Sequence, residues 1–339
     1  MTLLFPAHRS KYLSTFRTLR LGDRLAQVTP VNFMPMRGLR ALQGTLLGRG
    51  FARLNEAVER TRGRVLENRK FDLCIFSATS SMTLVPKVRA RRFIYRVNDL
   101  LRGFEAVPKS LLDCERRLLE SHLIDEVCAV NEELAGSVRR SYPHLKVRVV
   151  PNGVDLPLFE SAKPDAELLQ TRKTNVIYVG AFHPWTDVGL ILATAERLPD
   201  HTFHLYGNWN IPTPPHRPDN VRLHGPIRHE AIASKMKACG VGLIPSSEQN
   251  EGRMVEKPLK YYEYLAAGLG VAATSHAGRG LEPFAIIGDT PSTLADAIVQ
   301  AKSLPQRFGA EIKATLRGLD WDHLARRMLD GRSSGLTYP

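Results

Sequence analysis

Short apolar runs that close on a glycine, a proline or an acid alternate with amphipathic segments of helical period along almost the whole chain. In the second half, residues 175–180 (NVIYVG), 201–207 (HTFHLYG), 221–225 (VRLHG), 241–245 (VGLIP) and 270–274 (GVAAT) read as strands. Between them, 188–198, 229–238, 258–267 and 292–302 read as helices, with a tail helix from near Asp320. The first half follows the same rule, with strands at 71–77, 92–99, 126–130 and 146–155 and helices at 109–122 and 132–141. Apolar runs that need cover on both faces, joined by helices, are satisfied by a parallel sheet with helices on each side. The expectation is an α/β protein of two doubly wound, Rossmann-like domains, 1–155 and 156–339. The boundary lies between Pro151 and Lys173, and the last helix is a candidate to cross back to the N-terminal domain. At the opening, residues 2–5 read as a strand, followed by a helix through Leu25. A strand at Gln27–Phe33 and a helix at Ala52–Asn68 follow.

Ligands of such sheets bind outside the carboxyl ends of the strands, so the chemistry is sought there. The stretch 256–274, EKPLKYYEYLAAGLGVAAT, reads as turn, helix, turn, strand. Pro258 suits the helix start and Gly268 its C-terminal stop. Lys260 and Glu263, three residues apart, share one face of the first two turns. A cation and a carboxylate beside free N–H groups suit a sugar nucleotide: Lys260 would meet the phosphates and Glu263 the ribose hydroxyls. On spacing alone, the same pair also reads as a weak intrahelical contact on a surface helix. Gly268, Gly270 and Ala273 spell GxGxxA. That run follows a helix and opens a strand, the reverse of a dinucleotide fingerprint, and is set aside.

Charge separates the two halves. Residues 1–150 hold 27 Lys/Arg against 14 Asp/Glu, and residues 151–339 hold 20 of each. The whole excess of +13 therefore sits in the first half. It suits an anionic membrane surface or an acidic substrate, or it is a generic basic surface. No nucleic-acid module is present and the arginines are not interleaved with aromatics, so nucleic acid is not expected as a partner. Four scattered cysteines (Cys74, Cys114, Cys128 and Cys239) read as reduced thiols of a cytoplasmic protein. The first apolar run is too short for a signal peptide, and no run approaches the ~18 residues of a membrane span.

Several motifs in one order carry a resemblance: YRVNDLL (95–101), PNGVD (151–155), VGAF…TD (179–187), FHLYG (203–207), SEQ (247–249) after VGLIPS, and PLKYYEYLAAG (258–268). Over most of its length the chain resembles GT-B glycosyltransferases, and among them the GumK-type glucuronosyltransferase of lipid-linked exopolysaccharide precursors. PNGVD and KYYEYLAAG are also similar to family 4 glycosyltransferases. The resemblance implies GT-B architecture, two domains facing across a cleft, with a UDP-sugar bound by the C-terminal domain. A lipid-linked saccharide acceptor would be bound by the N-terminal one. It implies Asp99 as general base of an inverting transfer, taking the proton of the attacking acceptor hydroxyl. Read alone, Asn98-Asp99 before LLRGF is better read as a helix cap. Arg96 would orient Asp99 or meet an anionic acceptor.

On the donor side the candidates are Gly180, Ser247, Glu248, Gln249, Leu259, Lys260 and Glu263. Gly180 would let the backbone approach the diphosphate, or simply make a turn. Lys260 would neutralise charge on the leaving diphosphate. Glu263 stands where the glucuronosyltransferase pattern has glutamine and matches the family 4 acid. Ser246 replaces an expected aromatic residue, and Ser77-Ala78-Thr79 lacks an expected acid. Asn152 and Gly153 read as an interdomain turn. No cofactor and no metal are expected: Asp320-Trp321-Asp322 has the DxD spelling but reads as a helix cap, and the histidines lack paired spacing. The basic half, with Arg89, Arg91, Arg92 and the run Arg60–Lys70, would hold the enzyme on the inner face of the cell membrane. The competing expectations are a retaining family 4-like transferase, a non-catalytic sugar-nucleotide-binding protein of the same fold, and a sugar-nucleotide epimerase.

Overall fold

The computed structural model describes the backbone of residues 2–3, 18–22 and 25–28, and then residues 70–99, 101, 107, 109–250, 257–278 and 280–330. The expected helix at Ala52–Asn68, most of the Arg60–Lys70 run and the end of the Gln27–Phe33 run lie outside the described residues. The chain divides into two compact units. One holds Met1–Ala129 and Ala135–Arg148, the other Val130–Leu134 and Val149–Pro339.

The first unit opens with β1 (Thr2–Leu3), β2 (Thr18–Gly22) and β3 (Leu25–Val28). β1 runs parallel to β3, and β2 runs antiparallel to it. The helix expected through Leu25 is therefore corrected over Thr18–Gly22. Apolar and polar residues there alternate with period two (TLRLG), the period of a strand and not of a helix. β4 (Lys70–Phe71) pairs with β6 (Arg89–Ala90). β5 (Cys74–Ser77), β7 (Phe93–Val97), β8 (Glu126–Ala129) and β9 (Val147–Val149) form a sheet in that order. Helices α1 (Lys109–Glu120) and α2 (Glu132–Ser141) follow β7 and β8, the second capped by Asn131, whose Oδ1 accepts the Leu134 N–H at 2.8 Å.

In the second unit, α3 (Leu156–Ser161) and α4 (Ala166–Leu169) occupy the stretch read as a boundary. Six parallel strands then alternate with helices: β10 (Asn175–Val179), α5 (Val188–Arg197), β11 (Thr202–Tyr206), β12 (Val221–Gly225), α6 (His229–Lys237), β13 (Val241–Ile244), α7 (Leu259–Ala266), β14 (Gly270–Ala273), β15 (Ala285–Ile287) and α8 (Pro291–Ala301). Short helices α9 (Leu304–Arg307) and α10 (Gly309–Arg317) lead to α11 (Trp321–Asp330). The strand order is β12-β11-β10-β13-β14-β15, so the winding reverses between β10 and β13. Each face of the sheet buries its own core. Val176, Tyr178, Phe203, Leu205 and Leu243 pack on Ile191 of α5 and on Leu294 and Ile298 of α8. Ile177, Tyr206, Ile244 and Val271 pack on Ile232 and Met236 of α6 and on Tyr261 and Leu265 of α7. Neighbours along β10 thus serve opposite faces, as strand alternation requires. The last helix closes on the segment that opens this unit: Gly153 lies against Trp321 and Leu324, and Val154 N–H donates to Leu319 O at 2.9 Å.

Candidate functional site

The reversal point is where an open parallel sheet offers a crevice. β10 and β13 pair at Val176–Val241 and Ile177–Gly242. Beyond that pair the hydroxyl of Tyr264, from α7, stands between the two strands. It accepts the Val179 N–H at 3.0 Å and donates to Leu243 O at 3.2 Å. Both backbone groups are thereby satisfied by a side chain where a ladder bond would otherwise be needed. Gly242 makes this possible, since the Tyr264 ring lies in the space a Cβ at 242 would fill.

Gly180, directly after β10, and Lys260, in the first turn of α7, meet at this opening. A Cβ on Gly180 would come within 2.8 Å of Lys260 Nζ, and φ there is +152°. The glycine therefore both permits the backbone conformation and makes room for the ammonium. Lys260 Nζ lies 4.4 Å from the centroid of the Tyr178 ring. Leu259, the first residue of α7, is exposed. Helix α7 begins after Pro258, with its free N–H groups at the same edge as the lysine.

Glu263, one turn further, is buried, with His229 Nδ1 at 3.7 Å from its Oε1. Burial pushes its carboxyl above the ordinary carboxylate range, while His229 and Lys260 pull the other way. His229 opens α6, and Arg228–Ala231 line an open cavity of about 440 Å³. The sequence offered little to single out His229: its spacing to Glu263 becomes meaningful only once α6 and α7 lie side by side.

The loop between β10 and α5 runs beside the β13 loop. Thr186 bridges to Ser246, and Ser247 N–H donates to Trp185 O at 2.9 Å. Thr274 Oγ1, at the end of β14, accepts the Ser246 N–H at 2.9 Å and donates to Ser246 O at 2.6 Å. Glu248 and Gln249 continue as an exposed single-turn helix. The rings of His183 and Trp185 stack at 4.1 Å, and those of Phe182 and Trp209 at 3.9 Å. Gly180, Lys260, Glu263 and Ser247 thus share the carboxyl edge of one sheet, with Tyr178, His229, Thr274 and the 182–185 aromatics added by the fold.

Asp99 and Arg96 belong to the first unit. Asp99 is half-buried at the bend after β7, and Arg96 is buried in β7 beside Cys128 of β8. Burial lowers the Arg96 guanidinium pKa, with Cys128 acting in the opposite sense. At the other end of the same strands, Glu126 is 1 % exposed and is held by Arg92 at 2.6 Å, by Arg148, and by Lys146 at 3.3 Å. Three cations on one carboxylate hold its pKa low although burial alone would raise it.

A second cavity of about 490 Å³ lies along β11 and β12, lined among others by His204, Tyr206, Arg222, His224 and Lys235. None of the sequence-derived candidates lines it. Among the described residues no group of three or more His, Cys, Asp or Glu is arranged to hold a metal ion. Also among them, no helix is long and apolar enough to cross a membrane. Asp320 Oδ2 accepts the Asp322 N–H at 3.0 Å, which is capping geometry for α11.

No protein-family model matches the chain, and no curated protein matches it. Solved structures do match. A sucrose-phosphate synthase from Thermosynechococcus elongatus superposes with a TM-score of 0.64 at 18% identity, over 92% of this chain and 84% of that one. A trehalose-6-phosphate synthase studied for glycosyl transfer with retention gives 0.65 at 13% identity, over 94% and 90%. HepE from Anabaena, solved with UDP, gives 0.60 at 14% identity, over 91% and 85%. At these identities the likeness is one of fold, and the fold is that of the GT-B glycosyltransferases.

Proposed function

We propose that this chain is a glycosyltransferase that moves a hexose or glucuronate from a UDP-sugar to a lipid-linked saccharide in exopolysaccharide or cell-surface polysaccharide assembly. The observation that carries the donor half is the meeting of Gly180, Lys260 and Glu263 at the reversal point of the second unit's sheet. An ammonium, a helix N-terminus and a buried carboxyl with a histidine beside it match a diphosphate followed by a ribose. HepE, a protein of the same fold, is solved with UDP, which supports the same choice of nucleotide.

In this reading the transfer is inverting. Asp99 takes the proton of the acceptor hydroxyl as its oxygen attacks C1 of the donor sugar. The C1–oxygen bond to the diphosphate breaks, and UDP leaves with the electron pair, its charge met by Lys260. Arg96 orients the base or meets an anionic acceptor. Ser247, Glu248, Gln249 and Leu259 border the donor. The reaction needs no metal, because the cation and the helix N-terminus supply the positive charge.

The acceptor's lipid places the enzyme on the inner face of the cell membrane as a peripheral protein of the cytoplasm. The first unit's excess of basic residues supports this, with Arg89 and Arg91 exposed around β6. Each basic side chain near an anionic surface contributes roughly 1 kcal/mol. Flotation with anionic and neutral liposomes tests it, and equal binding to both would remove the membrane reading.

The deciding assay is UDP release from a panel of UDP-sugars, with and without membrane lipid extract. It compares the wild type with Asp99→Asn and Lys260→Ala. Lipid-dependent release from one donor, lost in both variants, is the expected result. Binding of UDP without release from any donor would favour a non-catalytic binding protein. A retaining transfer is the second reading, favoured by Glu263 where the glucuronosyltransferase pattern has glutamine. Full activity of Asp99→Asn, with the donor's anomeric configuration preserved in the product, would select it.

A further inference from the structure

We infer that Tyr178 is a positioning residue for the donor's diphosphate, its ring holding the Lys260 ammonium and its hydroxyl tying down the loop on the other side of that ammonium. The inference rests on the donor reading above and adds to it the element that places the cation. Tyr178 is the penultimate residue of β10 and is 2 % exposed. Its side chain belongs to the face of the sheet covered by α5 and α8, whereas α7 covers the opposite face. Lys260 therefore reaches past the end of β10 to arrive over the Tyr178 ring. It can do so because residue 180 has no Cβ: one placed there would stand 2.8 Å from Lys260 Nζ and 3.1 Å from the Tyr178 hydroxyl.

A lysine side chain carries a compact charge on a stem of freely rotating bonds, and so loses much rotamer freedom when a ligand fixes it. A ring face presents negative charge density to an ammonium within about 6 Å of its centroid. The 4.4 Å separation here lies well inside that range. The lysine is thus held at the crevice before a phosphate arrives, which lowers the entropy lost on binding.

The hydroxyl serves the opposite wall. It donates to Ala181 O at 3.2 Å and lies 3.4 Å from Thr186 Oγ1, which in turn accepts the His183 N–H at 3.4 Å. Both ends of the 181–186 loop are thereby tied to the residue that holds the lysine. Tyr178 also packs on Phe182 at 4.8 Å between ring centroids. A residue that served packing alone would not need its hydroxyl on the glycine loop and its face under the ammonium.

The test separates phosphate affinity from nucleoside affinity. Calorimetric Kd values for UDP and for uridine are measured on wild type, Tyr178→Phe, Tyr178→Leu, Lys260→Ala and the double variant Tyr178→Leu/Lys260→Ala. Tyr178→Leu is expected to weaken UDP about 3- to 10-fold, in line with a partly desolvated cation–π contact, and to leave uridine unchanged. Tyr178→Phe keeps the ring under Lys260 and loses only the loop tie, so it should weaken UDP by a smaller factor than Tyr178→Leu, and most of the Tyr178→Leu effect should vanish when Lys260 is absent. Equal weakening of UDP and uridine, or the same loss in the Lys260→Ala background, would overturn the inference. A second readout needs no nucleotide: in protein labelled at lysine, the Lys260 ε-CH₂ resonance should be shifted upfield by the ring and lose that shift in Tyr178→Leu. If wild type shows no such shift, Tyr178 does not hold the lysine, whatever the variants do. If the shift is present but wild type binds no UDP, the donor reading fails and the diphosphate role falls with it, while the lysine–ring contact stands.

Discussion

The ring of Tyr264 occupies the volume that a side chain at position 242 would need. A Cβ added to Gly242 would meet Tyr264 Cγ at 2.3 Å and Cδ2 at 2.4 Å. The two residues come from α7 and β13, and their fit is what lets a hydroxyl stand between β10 and β13 at the reversal of winding.

Gly242→Ala should therefore destabilise the protein by about 1–3 kcal/mol, the usual range for overpacking a filled core. The colliding atoms are ring carbons of a fully buried side chain, so they have little room to yield. Urea unfolding followed by tryptophan fluorescence measures it. A change within 0.5 kcal/mol, roughly the size of a typical surface substitution, would show that the ring moves freely.

Tyr264→Phe keeps the ring and removes the hydroxyl. The half-buried Val179 N–H and the buried Leu243 C=O would then be left without that partner. The expected loss is roughly 1–3 kcal/mol, the range for stranding buried polar groups. Faster amide exchange confined to Val179 and its neighbours on β10 would mark the loss as local. An unchanged unfolding midpoint would mean that water replaces the hydroxyl.

Glu263 gives the stability a dependence on pH. Burial raises its carboxyl pKa above the unfolded value of about 4.5. Its protonated form is therefore the better-tolerated one in the folded protein. The contribution is full below the unfolded value and is lost as pH rises through the raised folded value. Glu263→Gln, which stays neutral, should raise the thermal midpoint more at pH 8 than at pH 4.5. A midpoint raised equally at both would detach the effect from ionisation.

His204 acts in the opposite sense. It is buried in β11, its Nδ1 lies 3.0 Å from His224 Nε2, and burial with the neighbouring His224 lowers its pKa from 6.5 to about 4. The folded protein resists its protonation between those values, so stability present above pH 6.5 is lost as pH falls toward 4. After screening by solvent the loss is on the order of 1–2 kcal/mol. His204→Asn should flatten part of the stability–pH curve in that window. His201 and His224 are shifted in the same direction and keep the remainder.

Much of this was legible in the residue order because it is local. Helix α2 lies where its period places it, at Glu132–Ser141. Lys260 and Glu263 fall on one helix because they are three residues apart. Gly268, with φ of +75°, ends α7 as a glycine after a helix commonly does. The Thr18–Gly22 strand was misread because a short alternating run between turn residues competes with helix formers over the same few positions. Neither α9 nor α10 is among the expected helices: α9 is a single turn of four residues, which carries no periodicity, whereas α10 is as long as α6.

The sequence by itself determined the class of fold, the order of most elements, the separation of a basic half from a neutral one, and the helix that bears the lysine and the acid. It did so because hydrophobic period and turn chemistry act over a single element. Only the tertiary structure decided which strands part, and what fills the gap between them. Val179 and Tyr264 meet across 85 residues of chain, and Lys260 reaches Tyr178 from α7 past the glycine that follows Tyr178's own strand. His229 meets Glu263 because α6 and α7 cover the same face. Those contacts are set by strand order and by the crossovers that return the chain to the sheet, and neither leaves a mark at fixed spacing in the residues themselves.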